Sequence, residues 1–223
     1  MLKMKQKSKI ILISGGTASG KSAISKDLSE IFQKNKIDAS FFSIDNYYYD
    51  EKEIKNIFKI NDLTKVNFDD PNTINWKDFN DDLNKVFSGL IVERKIYNFK
   101  TCNYDLSKTF KVKPAEYIII EGIFAFFNQK LLNNAFKKIY IEADGDLRLI
   151  RRYKRDYNYH HHNHSFNCEN FINRWEKQIY PMFKKYIEKN RKQADYVILN
   201  NIDSKININK KAKQIFDLIK DNN

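Results

Sequence analysis

The segment Gly15-Gly16-Thr17-Ala18-Ser19-Gly20-Lys21-Ser22 has the residue types and the spacing of a loop that binds phosphate groups. It matches the pattern G-x-x-x-x-G-K-[ST]. Glycines let the backbone approach a polyphosphate closely, and successive N–H groups form a site for anions. Lys21 would reach the β- and γ-phosphates, and the Ser22 hydroxyl would ligate Mg²⁺. The segment therefore predicts a site for ATP or GTP together with Mg²⁺.

The residues on either side of this phosphate loop supply the context that the motif requires. Residues 9–14 are apolar and largely β-branched, which predicts a buried parallel strand. Apolar residues then recur at helical spacing, which predicts a helix over residues 20–34. The free N–H groups and the dipole of that helix would add to the attraction for phosphate.

Carboxylates follow two other predicted strands at the points where those strands end. We predict strands at residues 41–44, 117–120, 138–141 and 196–199, alternating with helices. This pattern indicates an α/β fold with a mostly parallel sheet and helices on both faces, in which sites lie at the carboxyl ends of the strands. Asp45 and Glu121 come at such ends, so both could face the metal, and Asp45 could accept the proton of a substrate hydroxyl. The alternative for Asp45 is a helix cap.

The remaining elements predict a single domain with two small additions. A helix is expected over residues 76–87. Two antiparallel strands, 90–97 and 109–112, would form a small lobe at about residues 90–113. A helix over 144–157 begins a lid at about residues 148–168. A long helix follows over 169–191, with a kink expected at Pro181.

The predicted lid is rich in arginine and histidine. Its four arginines lie about one helical turn apart and share a face: Arg148, Arg151, Arg152 and Arg155. A solvated basic face is the ordinary interpretation, but opposite a phosphate loop we favour a lid that clamps phosphates. All four histidines fall within residues 160–164. Because no carboxylate or cysteine nearby completes a metal site, we interpret this histidine run as an irregular, solvated part of the lid.

Bulk composition narrows the classes of partner and compartment. The chain has 223 residues and a formal net charge of +12. Lysine and asparagine are spread throughout, so we interpret the charge as a compositional bias and expect no nucleic-acid partner.

Cys102 and Cys168 form no metal or redox motif, which favours a reducing compartment. The basic N-terminus could suggest a signal peptide, but the apolar segment after it runs into the phosphate loop. No stretch approaches the length of a membrane span, so we expect a soluble cytoplasmic protein.

From residue 9 to about residue 203, the sequence resembles the uridine (uridine–cytidine) kinases, within the phosphoribulokinase and uridine kinase group of P-loop kinases. The resemblance rests on motifs that occur in the family's order and roughly at its spacing. They are residues 14–22, Asp45-Asn46-Tyr47-Tyr48, residues 67–71, Tyr97-Asn98-Phe99, residues 121–126, residues 151–156 and Ala194-Asp195.

The resemblance implies transfer of a phosphoryl group from ATP or GTP to the 5′-hydroxyl of uridine or cytidine, with Mg²⁺. At the matching positions it makes Asp45 the catalytic base and Ser22 and Glu121 magnesium partners. It also implies that Asp203 is an acidic contact of ATP. The family often forms tetramers, so a homo-oligomer is expected.

The resemblance also assigns residues to the acceptor nucleoside. Asp69 would hold the ribose hydroxyls, while Tyr48 and Tyr97 would contact the nucleoside, Tyr97 against the base. Arg152 and Arg155 would be the lid arginines that meet nucleoside or phosphates.

Three departures from the family pattern bear on recognition of the acceptor. Cys102 stands where the family has a histidine that hydrogen-bonds the pyrimidine, and a thiol is a much poorer donor. Residues 157–164 replace an E-R-G-R stretch, and the glutamine expected on the next helix falls near Arg174.

Three alternatives therefore stay open. The first is a kinase for another nucleoside or for a small vitamin-like alcohol. The second is a degenerate homologue that only binds nucleotide. The third, from another class, is a P-loop switch. It would carry an N-K-x-D guanine motif, which we do not expect here, and it gives Asp45, Asp69 and the arginines no task.

Overall fold

Five parallel strands form the central sheet. The computed structural model describes residues 8–160 and 166–221. The strands are β1 (Lys9–Gly15), β2 (Ala39–Ser43), β3 (Val92–Asn98), β4 (Asn103–Val112), β5 (Tyr117–Glu121), β6 (Ala135–Glu142) and β7 (Tyr196–Leu199). The order of the strands across the central sheet is β2-β5-β1-β6-β7. The helices are α1 (Lys21–Lys34), α2 (Glu51–Phe58), α3 (Trp76–Phe87), α4 (Gln129–Asn134), α5 (Gly145–His160), α6 (Cys168–Arg174), α7 (Tyr180–Met182) and α8 (Lys205–Lys220). The predicted α/β class with a mostly parallel sheet is confirmed.

Alternation along the strands divides the core into two layers, one on each face of the sheet. Ile11 and Ile13 of β1 belong to the layer that also contains buried residues of α1 and α8. Ile10 and Leu12 belong to the other layer, with buried residues of α3. Successive residues of a strand point to opposite faces, so this apolar strand is buried on both sides.

The antiparallel pair β3–β4 lies outside the central sheet. The strand predicted at 109–112 begins earlier, at Asn103. Tyr104 and Leu106 stand at alternate positions, in phase with Phe110 and Val112, so the sequence does carry a period-2 signal for the longer strand, interrupted by Lys108.

The lid helix and the helix after it differ from the prediction in detail. Helix α5 continues to His160, beyond the expected end at residue 157. The long helix expected over 169–191 is continuous but irregular: α6 and α7 alternate with two π-helical turns, Trp175–Ile179 and Phe183–Ile187, and a 3₁₀ turn ends it. Pro181 lies between the two wide turns, which fits its inability to donate an i→i−4 hydrogen bond. Most of the predicted histidine run lies outside the described residues.

In the described part of the chain, no helix is both long enough and apolar enough to cross a membrane.

Phe79 of α3 connects the core to the turn that follows β2. Its ring lies 5.2 Å from the rings of both Phe42 and Tyr47, edge to face in each case. Tyr47 ends the 3₁₀ turn Ile44–Tyr47, which carries Asp45. Aromatic packing on α3 therefore fixes the position of this turn.

The substitution Phe79→Ala is expected to lower the free energy of unfolding by about 3–5 kcal/mol, because it leaves a cavity beside the buried rings of Phe42 and Tyr47. Phe87→Ala on the same helix is the control, since Phe87 is 43% exposed and should cost less than about 1 kcal/mol. Urea unfolding of both variants measures the difference. Equal losses would contradict the proposed role of Phe79.

Candidate active site

The phosphate loop joins β1 to α1 and has a shape that particular glycines require. Gly20 has φ +91°, and a Cβ atom there would lie 2.3 Å from Asn200 Nδ2. The Ser19 N–H donates to the Gly16 carbonyl at 3.1 Å, which closes a tight turn. Lys21 is buried at the start of α1, while Ser22 is exposed. The loop backbone and the first turn of a long helix thus combine into a structure that can bind a polyphosphate.

Two asparagines that the sequence analysis missed support this loop from behind. Asn200 directly follows β7, and its Nδ2 donates to the Ser19 carbonyl at 2.8 Å. Asn207 of α8 in turn donates from Nδ2 to Asn200 Oδ1 at 2.7 Å. All these groups are buried, so each bond is made away from water. The signal available in the sequence was a polar residue at the carboxyl end of the last strand, at the edge where sites form.

Glu121 is held at the centre of the same edge by two serines. Strand β5 lies between β1 and β2, and Glu121 is in register with Ser43 of β2. Ser43 Oγ donates to Glu121 Oε1 at 2.7 Å, and Ser22 Oγ donates to Oε2 at 3.2 Å. The carboxylate therefore faces the first turn of α1 from across the sheet.

Asp45 lies beside Glu121 in the 3₁₀ turn after β2 and is half-buried. Burial and the charge of Glu121 raise the pKa of Asp45 to about 6, against the opposing effects of Lys21 and Arg155. The sequence analysis considered a helix cap as the alternative role of Asp45. The residue that caps α2 is instead Asp50, whose side chain accepts from the Glu53 N–H at 2.8 Å.

Ser22, Asp45 and Glu121 form a donor set that fits Mg²⁺. All three offer hard oxygen ligands, and the Ser22 hydroxyl already lies within hydrogen-bond distance of Glu121. Among the described residues no three His, Cys, Asp or Glu side chains cluster in a way that could hold a metal. Mg²⁺ is usually bound by one or two carboxylates together with waters and substrate phosphates.

An aromatic pocket lies next to Asp45. The rings of Tyr48, Tyr97 and Phe99 lie 5.0–5.5 Å apart in pairs, and Asp69 is buried close to them. The Tyr48 hydroxyl donates to the Phe68 carbonyl at 3.0 Å, and the Tyr97 hydroxyl donates to the Tyr49 carbonyl at 3.2 Å. Tyr48 and Tyr97 are almost completely buried in this structure, and their hydroxyl hydrogens are already used.

Cys102 and Arg174 border this pocket. The Cys102 thiol lies beside the Tyr97 hydroxyl, and burial raises its pKa. Arg174 Nε is buried and has no hydrogen-bond partner among the described residues. Burial and the nearby Arg152 lower the pKa of Arg174, with Asp69 acting in the opposite direction. An unpaired guanidinium beside a buried carboxylate is a strong donor for a polar ligand.

Three arginines of α5 are largely shielded from solvent, namely Arg148, Arg151 and Arg152, whereas Arg155 is exposed. Arg152 Nη1 donates to Thr17 Oγ1 at 2.7 Å, and its Nε donates to Asp156 at 2.9 Å. Arg155 pairs with the same Asp156 at 3.3 Å and is the most exposed of the four. The side chains of Arg151 and Arg148 have little solvent-exposed surface. The structure therefore brings Arg152 to the loop, whereas Arg155 pairs with Asp156 and lies within electrostatic reach of Asp45.

Asp203 is not brought to the loop by any hydrogen bond or ion pair in the part of the chain that is described. Its side chain is 72% exposed and lies 3.7 Å from Arg151 Nε. The predicted contact of Asp203 with ATP stays a prediction.

The expectation that the N-K-x-D letters are missing was wrong. Asn35-Lys36-Ile37-Asp38 spells them. However, the segment follows α1, and the Asp38 carbonyl accepts from the Tyr117 N–H at the amino end of β5. It therefore lies at the edge of the sheet opposite the phosphate loop and cannot read a guanine bound there.

A parallel sheet with a phosphate loop between its first strand and first helix defines a P-loop fold, and comparison with known proteins narrows it. A sequence profile described as "Phosphoribulokinase / Uridine kinase family" matches residues 10–207. The chain belongs to this family and is a phosphotransferase.

Relatives and a solved structure agree with that assignment. Over 196 residues the chain is 32% identical to the uridine kinase of Mycoplasma genitalium, covering 87% of this chain and 86% of the relative. It is 31% identical over 196 residues to the uridine kinase of Clostridium perfringens, covering 88% and 89%. The phosphoribulokinase of Rhodobacter spheroides shares the fold, with a TM-score of 0.61 at 12% identity, covering 91% of this chain and 74% of that one.

The substitution Asp45→Asn is expected to stabilise the metal-free protein at pH 8, by roughly 1–3 kcal/mol at most. A carboxyl whose folded pKa is raised to about 6 contributes most to stability at low pH, and this contribution is lost as the pH rises through about 6. The advantage of the variant should therefore shrink at pH 5. Urea unfolding at both pH values, without metal, measures it. A variant less stable than wild type at pH 8 would contradict the raised pKa.

Proposed function

We propose that this chain transfers the γ-phosphate of ATP or GTP to the 5′-hydroxyl of uridine or cytidine, giving UMP or CMP. The observation that carries the proposal is the position of Asp45. Its carboxylate lies within electrostatic reach of Lys21 on the phosphate loop and of Asp69 in the aromatic pocket. A group between donor and acceptor sites can take the proton of a hydroxyl that attacks the γ-phosphate.

On the donor side, the loop would bind the β- and γ-phosphates through its N–H groups and Lys21. Arg152 and Arg155 would spread the charge that develops on the transferred group. Ser22, Asp45 and Glu121 would hold Mg²⁺, directly or through water. When bound, the metal would supply charge neutralisation on the phosphate oxygens.

On the acceptor side, the buried carboxylate of Asp69 would accept hydrogen bonds from the ribose hydroxyls. Desolvated charge-assisted hydrogen bonds are strong and directional, so they would fix the sugar. The faces of Tyr48 and Tyr97 would enclose the base. The 5′-hydroxyl of a sugar held in this way would point toward Asp45.

The properties of Asp45 suit a general base near neutral pH. A carboxyl with pKa about 6 is mostly ionised at pH 7, yet it is more basic than an ordinary aspartate. The proposed reaction would be a step of pyrimidine salvage in the cytoplasm. The homo-oligomer implied by family resemblance stays a prediction.

A second candidate keeps the chemistry but changes the acceptor to another nucleoside or small alcohol. It is favoured by the hydroxyls of Tyr48 and Tyr97, whose hydrogens are already donated to backbone carbonyls. Cys102 adds only a weak donor. Fewer side-chain groups are then free to read a pyrimidine.

A panel of acceptors with labelled ATP and Mg²⁺ tests both candidates. We expect uridine or cytidine to be the preferred acceptor, and Asp45→Asn to lower kcat by about 10²–10⁴. Asp81→Asn is the matched control, because Asp81 is exposed on α3 away from the site. Phosphorylation of another alcohol with neither pyrimidine nucleoside accepted would favour the second candidate. Equal turnover of wild type and Asp45→Asn would remove Asp45 from the mechanism.

Arg174→Gln is expected to raise KM for the nucleoside about tenfold or more, because a charge-assisted hydrogen bond contributes about 1.5–3 kcal/mol. KM for ATP should change by less than about twofold, since Arg174 borders the acceptor pocket. Lys177→Gln, an exposed position three residues further on, serves as the control. Steady-state kinetics with each substrate varied separates the two constants. A change confined to KM for ATP would contradict this placement of Arg174.

A further inference from the structure

Arg148 of α5 is a buried cation directly behind the phosphate loop. Its side chain is only 5% exposed. Nε donates to the Ala143 carbonyl at 3.2 Å, and the guanidinium carbon lies 3.8 Å from the centre of the Phe183 ring. These two contacts fix the plane of the guanidinium group over an aromatic face.

The guanidinium also lies against the backbone of the loop. A Cβ atom on Gly16 would come within 2.5 Å of Arg148 Nη1 and 2.9 Å of a Phe183 ring carbon. Glycine at this second position of the loop therefore leaves the space that Arg148 occupies.

The charge of Arg148 has no ion-pair partner among the described residues. Neither of its terminal nitrogens donates a hydrogen bond there, and the nearest titratable groups are Tyr140, Tyr180 and Glu188. Burial lowers the pKa of Arg148, although these three groups oppose the effect. An arginine nevertheless stays protonated, so the free protein carries a buried charge at a cost in stability.

The other three arginines of α5 differ from Arg148 because each lies near a carboxylate. Arg152 and Arg155 both pair with Asp156, and Arg151 lies near Asp203. Their charges are compensated by carboxylates in the free protein. Arg148 alone of these four arginines lacks such a carboxylate within the described chain.

We propose that Arg148 is a positioning residue for the polyphosphate, whose bound charge compensates the guanidinium through the Gly16 backbone. The inference rests on the proposed use of the loop for nucleotide, but not on the identity of the acceptor. Bound phosphate would remove an electrostatic penalty that the free protein bears. Part of the nucleotide's binding free energy would therefore come from Arg148 without direct contact.

Three variants test this proposal: Arg148→Met, Arg148→Lys and, as control, Lys154→Met, which removes an exposed charge from the same helix. The probes are MgATP and inorganic tripolyphosphate, with Kd measured by calorimetry.

For Arg148→Met we expect Kd to rise about tenfold or more for both probes. KM for the acceptor should change by less than about twofold, and the nucleotide-free unfolding midpoint should be at least that of wild type. Arg148→Lys should keep most of the affinity, and Lys154→Met should match wild type.

A role in packing alone predicts the opposite pattern. Arg148→Met would then lower the unfolding midpoint of the free protein and leave Kd for both probes unchanged, which would overturn the proposal. If Arg148→Met fails to fold, Arg148→Lys decides. Arg148→Lys keeps the positive charge but loses the stacking on Phe183, so binding of both probes about as tight as in wild type supports the proposal. If the affinity and the stability of this variant fall together, the proposal is overturned. Wild-type protein that binds neither probe would instead refute the proposed function.

Discussion

The arrangement of the whole site depends on one carboxylate held between two serine hydroxyls. Glu121 ends the strand that lies between β1 and β2, so its bonds to Ser22 and Ser43 connect three neighbouring parts of one sheet edge. That position places a second negative charge beside Asp45 and opposite Lys21. Burial of Asp45 and this second charge together raise its pKa. A site that brings carboxylates together in this way is suited to a divalent cation and a phosphate ester.

Local patterns were sufficient to predict the sheet and the position of the site. The apolar strands, the phosphate loop and the carboxylates at strand ends follow from residue types and short spacings, because parallel strands bring their carboxyl ends to one edge. Asp45 and Glu121 could therefore be placed beside Ser22 from sequence alone. The helix-cap alternative for Asp45 could be decided only when the structure assigned that cap to Asp50.

What sequence could not provide were contacts between residues far apart in the chain. Asn200 supports the loop across 181 positions, and Arg148 lies against Gly16 because α5 packs over the loop. The N-K-x-D sequence at residues 35–38 matches a motif without the function of that motif. Only the topology shows that this segment lies at the edge of the sheet opposite the phosphate loop. A kink at Pro181 was predicted, but not the π-helical turns on either side of it.

The central claim is that Asp45 stands between a bound triphosphate and an acceptor hydroxyl. A crystal structure of the protein with Mg²⁺, a non-hydrolysable ATP analogue and uridine tests it most directly. We expect the 5′-oxygen within about 2.6–3.2 Å of the Asp45 carboxylate and in line with the γ-phosphorus. A nucleoside bound with its 5′-oxygen remote from Asp45, or a phosphate loop without the triphosphate, would contradict the account.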